Sequence, residues 1–257
     1  VRRYIPRTIA LLYLTAVLLA PLAMVFWRTF EHGLSPVWHT LSDPQTVHAF
    51  EVTLIVTAIA VPLNTVFGIV AGLAIVRGRF PGQGLLNAFI DLPLALSPVV
   101  VGLSLFLLYG RTGWFGGHNV LFNWPAMVLA VIFVSVPFVA REVIPTLREL
   151  GDEQEQAART LGASTWQTFR RITLPSIRWA VIYGVVLTTA RCLGEYGAVA
   201  IVSGRIVGKT ETATLRVEDA YQNFDQTGAY TVGLVLAATA VLVLILMTVL
   251  KPKEQNA

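Results

Sequence analysis

Residues 155–175 read EQAARTLGASTWQTFRRITLP, a charged, helix-compatible block in a chain that is otherwise mostly apolar. Its first arm, 153–161, opens with acidic residues, which favour a helix N-terminus, and ends at Gly162, which can take the left-handed conformation that stops a helix. Ser164 can cap a second arm that runs to about Arg171, and Ile172-Thr173-Leu174-Pro175 leads into the next apolar block. Ala157 and Ala158 leave a low-profile face flanked by Leu161 and Trp166. That shape suits insertion into a groove of another protein. On the residues alone, an amphipathic helix lying on a lipid interface fits equally well.

The chain of 257 residues is 55% hydrophobic and only 13% charged, which is too apolar for a water-solvated surface and points to an integral membrane protein. The apolar residues come in blocks of about 18 to 25, long enough at ~1.5 Å per residue to cross a hydrocarbon core of about 30 Å. Six spans are predicted, at 9–27, 52–76, 85–109, 124–140, 177–202 and 231–250, in one all-α transmembrane domain over 1–257. Arg2, Arg3 and Arg7 before the first block resemble the start of a signal peptide. No small-x-small site follows and Pro21 interrupts the region, so the block is predicted to stay as a span. Gly68 and Gly72, four residues apart, predict close helix packing in the second span. Pro93 and Pro98 predict a bend or break in the third.

Lys and Arg sort by side of the membrane. If the N-terminus is cytoplasmic, thirteen of the 19 fall on inner segments (among them Arg77, Arg79, Arg141, Arg148 and the arginines of 159–178) and five on outer ones, with Arg191 inside a span. This excess predicts cytoplasmic termini and a cytoplasmic 153–175 segment.

Arg191 and Glu195 lie in the fifth span four residues apart, on one helix face. Ionisable groups at that depth face protein or a watery path. Arg191 could offer its planar fork to an oxyanion, or the two charges could neutralise each other and brace the bundle beside Gly194 and Gly197. Asp91 reads as a helix-end cap or interface residue. The Gly204–Thr210 run has too few residues between its glycines for a phosphate-binding loop. His32, His39, His48 and His118 lack the compact spacing of a metal site, and none is predicted. The single cysteine, Cys192, reads as a small apolar filler.

Ala157-Ala158, Gly162 and then Ile172-x-Leu174-Pro175 resemble the EAA signature of bacterial ABC importer permeases. Gln156 stands where the signature has glutamate, with Glu155 one residue earlier. Further stretches are similar to the sulfate/thiosulfate permease branch of that family: 62–68, Asp91-Leu92-Pro93, 97–102, Leu193-Gly194-Glu195-Tyr196-Gly197 and Val202-Ser203-Gly204. Trp166-Gln167-Thr168-Phe169 and Ile177-Arg178-Trp179 are more similar to the CysW type of subunit than to the CysT type.

The resemblance implies a type I ABC importer permease of six transmembrane helices, both termini cytoplasmic, with a coupling helix between spans 4 and 5. It implies a multi-pass subunit of the bacterial cytoplasmic membrane with no catalytic residue of its own and no nucleic-acid partner. The implied partners are a CysT-like permease, two copies of a CysA-like ATPase, an external sulfate-binding protein and membrane lipid, with ATP and Mg²⁺ bound by the ATPase. Glu155, Gln156, Ala157, Ala158, Leu161, Gly162 and Trp166 are the expected ATPase-coupling residues. Arg191, Gly194, Glu195 and Ser97 are the expected path or gate. A molybdate or tungstate permease is the near alternative, and an ion-coupled secondary transporter titrating Asp91 or Glu195 the distant one. The inverted repeats that would favour the latter are not seen.

Overall fold

The computed structural model describes residue 8 and residues 12–78, 80–116 and 119–250. Of the residues named so far, Arg2, Arg3, Arg7, Arg79 and His118 lie outside the described residues, as does the predicted start of the first span at residue 9. The described chain is helical, with no strand. In order, the helices are α1 (Leu12–Phe30), α2 (Leu34–Ser42), α3 (Pro44–Arg77), α4 (Gln83–Ala95), α5 (Pro98–Tyr109) and α6 (Trp124–Leu150). They continue as α7 (Glu153–Thr160), α8 (Thr165–Ser176), α9 (Arg178–Leu193), α10 (Gly197–Val202), α11 (Ala213–Gln222) and α12 (Gln226–Leu250). Among the described residues, α1, α3, α6 and α12 are each long and apolar enough to cross a membrane. The pairs α4–α5, bent by 109°, and α8–α9, bent by 69°, bring the number to six if each is one span.

Three of the predicted spans differ at an end, each with a local cause, and a fourth is interrupted. The second span begins at Pro44, not 52, because the Asp43 carboxylate accepts the Thr46 N–H at 3.1 Å and Pro44 needs no partner in the first turn. The fourth runs past Ala140 to Leu150: Val143, Ile144 and Leu147 keep one face buried while Arg141, Arg148 and Glu149 point outward. The fifth is not continuous to 202 but breaks at 194–196 between α9 and α10. The sixth starts at Gln226, where Asp225 Oδ1 accepts the Gly228 N–H at 2.9 Å. The predicted break of the third span falls between α4 and α5, where Leu96 and Ser97 are both extended, Ser97 as the constraint on the residue preceding proline requires.

The centre of the bundle is α6, gripped by α3 and α9 at Val139. A Cβ on Gly68 would lie 2.6 Å from Val139 Cβ, and one on Gly184 would lie 2.7 Å from Val139 Cα. Only glycine permits that approach from both sides. A buried polar tie runs beside it, with Asn64 Nδ2 donating to Ser135 Oγ at 2.7 Å and to the Ile132 carbonyl at 3.2 Å. One end of the bundle gathers residues 80–82 and 151–176. The other gathers 31–43, 110–116, 119–123 and 203–225. The stretch 203–230, between the fifth and sixth predicted spans, is built into that second end: α11 buries Ala213 and Leu215, the Ala213 N–H donates to Thr53 Oγ1 at 2.9 Å, and Arg216 reaches Asp43 at 3.1 Å.

Candidate coupling surface and gate

The first end of the bundle carries the α7–α8 arm. The Ser164 hydroxyl accepts the Gln167 N–H at 3.3 Å, and the Gln167 side chain accepts the Ser164 N–H at 2.9 Å. This reciprocal pair starts α8 sharply. Gly162 stands between the helices at φ +87°, with open space where a side chain would go. Gln156, Ala157, Gly162 and Trp166 are exposed and Ala158 is half-buried. Leu161 is 89% exposed and Trp166 66%. Two large apolar side chains so bare on a polar arm form a ridge beside small residues. Trp166 packs against Phe169 with ring centroids 5.5 Å apart and the planes tilted by 31°, which holds the ridge in shape.

Glu155 does not share that outward face, although the sequence grouped it there. It is 7% exposed: one oxygen accepts from Arg77 Nε at 3.1 Å and the other from Thr173 Oγ1 at 2.9 Å. Arg77 also donates to the carbonyls of Leu147, at 3.1 Å, and Gly151. A single arginine thus ties the end of α3 to α6, to the turn before α7, and through Glu155 to α8. Sequence reading missed Arg77 as an anchor because it is a terminal helix cation like many others. Thr173 lay in the quoted motif with nothing to say which way it pointed.

The second site is the break in the fifth span. Arg191 Nη1 lies 2.7 Å from Glu195 Oε2, with the glutamate side chain 2% exposed and the arginine 30%. Glu195 lies past the end of α9, so the pair spans the break and does not ride on one continuous helix face. The other carboxylate oxygen accepts the Ala198 N–H at 2.9 Å at the start of α10. The Glu195 carbonyl takes Thr214 Oγ1 at 2.8 Å. One residue therefore binds α9, α10 and the lead of α11. Gly194 and Ser97 are both exposed, and the two span breaks adjoin: a Cβ on Gly197 would meet Pro98 Cβ at 3.0 Å. The structure thus brings Arg191, Gly194 and Glu195 to one break and Ser97 to its neighbour, while the α7–α8 residues lie at the end of the bundle. α9 joins the two sites. Thr214 is a further residue to which no motif pointed.

Residues 64–255 match the family model described as binding-protein-dependent transport system inner membrane component. The chain is 51% identical over 251 residues to the sulfate transport system permease protein CysW of Synechococcus elongatus, covering 95% of this chain and 88% of that one. It is 37% identical over 250 residues to the sulfate transport system permease protein CysT of Escherichia coli, covering 95% and 90%. The fold matches a chain of a bacterial alginate ABC transporter, solved in complex with an alginate pentasaccharide-bound periplasmic protein, with a TM-score of 0.81 at 16% identity over 99% of this chain and 95% of that one. A long match to the family model, half-identity to a permease over nearly full length, and a shared helical architecture agree: the chain belongs to the binding-protein-dependent transport system inner membrane components, as a multi-pass ABC importer permease of the sulfate-permease branch, CysW type.

Proposed function

We propose that this chain is the permease subunit through which sulfate and thiosulfate enter a bacterial cell, set in the cytoplasmic membrane with its α7–α8 end in the cytoplasm. Its partners in this reading are a CysT-like permease, two copies of a CysA-like ATPase that bind and hydrolyse ATP with Mg²⁺, and an extracytoplasmic sulfate-binding protein. The chain itself supplies no catalytic group. The observation that carries the reading is the exposed ridge of Leu161 and Trp166 beside Ala157 and Ala158 on an arm locked to the bundle by Glu155, Arg77 and Thr173.

An arm that is bare outside and fixed inside passes on a push. Movement of the ATPase subunits against the ridge would travel by Glu155–Arg77 into α3 and α6, and across the 69° joint of α8 and α9 into the fifth span. There it meets the break held by Arg191 and Glu195, which adjoins the break at Ser97. Rotation of α9 against α10 at this point is the step that would open or close the path.

Reconstitution of the permease pair, ATPase and binding protein in vesicles tests the reading. Uptake of radiolabelled sulfate should require ATP, and sulfate- or thiosulfate-loaded binding protein should stimulate hydrolysis. Stimulation by molybdate-loaded protein alone would move the assignment to molybdate. Uptake by this chain alone under an ion gradient would overturn the importer reading.

A further inference from the structure

Asp91 on α4 and Arg141 on α6 form an ion pair that no role above uses. Arg141 Nε and Nη2 both approach Asp91 Oδ1 at 2.9 Å, and Asn87 Nδ2 donates to Oδ2 at 3.4 Å. The three residues line a cleft of about 270 Å³ with Ile144 and Pro145. Asp91 lies two turns into an apolar span, where an ionisable group faces protein or water and not hydrocarbon. Yet the pair is open, with side chains 54% and 36% exposed, whereas Arg77 and Glu155 are closed in at 19% and 9%.

The surface of α4 says which way this opening faces. Leu85, Phe89 and Leu92 share one exposed face, bulky and suited to lipid. Asn87 and Asp91 share another with Gly84, Ala88 and Ala95, by helical spacing, and that face climbs toward exposed Ser97 at the break. The pair is also incompletely matched: the guanidinium fork converges on one oxygen of Asp91 and leaves the other to a long amide contact. A fork held this way can exchange its acceptor for an oxygen of a tetrahedral dianion, with the Asn87 amide as a second donor.

We propose that Arg141, assisted by Asn87, is the anion-contacting residue of the inner half of the path, and that Asp91 is the resident acceptor to which Arg141 returns, limiting how long the anion stays. The proposal rests on the oxyanion-import reading and adds a site to it.

The test uses the complete reconstituted complex. Arg141→Gln should lower sulfate uptake about tenfold, with binding-protein-stimulated ATP hydrolysis within about twofold of wild type, and Arg141→Lys should keep most of the uptake. Asp91→Asn removes the competitor, so sulfate on the ATPase side should inhibit uptake at about tenfold lower concentration. Arg141→Cys in a Cys192→Ala background should react with a membrane-impermeant thiol reagent added from that side, more slowly when sulfate is present. Wild-type uptake by Arg141→Gln, or an unreactive thiol, overturns the proposal, as does separation of the two permeases in Arg141→Gln, which would make the pair a packing contact. If the wild-type complex moves molybdate and not sulfate, the sulfate reading fails, and the same comparisons made with molybdate decide the role of Arg141.

Discussion

Arg191 stands beside a carboxylate that has almost no contact with solvent. Removing the cation leaves the buried Glu195 side chain with only the Ala198 N–H for company, a loss of about 3 kcal/mol by analogy with broken buried pairs. Arg191→Ala is expected to abolish uptake while the complex still assembles, because α9 and α10 lose their common anchor. The geometry favours bracing over direct anion contact, since the guanidinium is engaged within the subunit. The double variant Arg191→Met with Glu195→Gln removes both charges together, and neutral replacement of a whole pair is often well tolerated. It should recover most of the uptake lost by the single variant. A double variant as inactive as Arg191→Ala would instead put Arg191 on the anion's route, and normal uptake by Arg191→Ala would remove the break from the mechanism.

In the proposed coupling the α7–α8 arm must hold the angle between its two helices, and Gly162 stands at that joint. Its φ of +87° lies where a side chain is strained even though nothing crowds the position, so the cost of substitution is conformational, about 1–2 kcal/mol. Gly162→Val is expected to let the end of α7 fray and to tilt the Leu161–Trp166 ridge. ATP hydrolysis by the assembled complex should continue while uptake falls about tenfold. Gly162→Asn, which tolerates the left-handed conformation, should stay near wild type. Tight coupling in the valine variant would mean that the ridge does not transmit the push. Much of this arm was legible beforehand: acidic start, glycine stop and serine cap are local chemistry, and the structure has all three. The direction of Glu155 was not legible, because it depends on Arg77, 78 residues away.

Hydropathy blocks coincide with the four helices long and apolar enough to cross a membrane and with the two bent pairs, since a hydrocarbon core sorts residues by solubility alone. Their ends escaped, because caps such as Asp43 and amphipathic extensions such as 141–150 carry no apolar signal. The layer at the end opposite the arm escaped altogether, being built from polar residues far apart in sequence. Glu211 lies in that layer, 2% exposed, with one carboxylate oxygen unpaired among the described residues. Burial is the main cause that raises its pKa above the ordinary carboxylate value; Asp219 and Asp43 add to it, while Arg216 and His48 oppose it. The folded state therefore holds this proton more tightly than the unfolded chain does. Its contribution to stability is fully present below the unfolded value, near 4.5, and declines as pH rises from there through the folded value. Glu211→Gln keeps the shape and removes the titration. At neutral pH the glutamine variant is expected to unfold at a higher temperature than wild type, and the gap should close on acidification toward pH 4.5. Comparing the two proteins cancels every effect of pH that both share. A gap of constant size across that range, or one that widens in acid, would mean that Glu211 is ionised at no cost and that the surrounding charges already satisfy it.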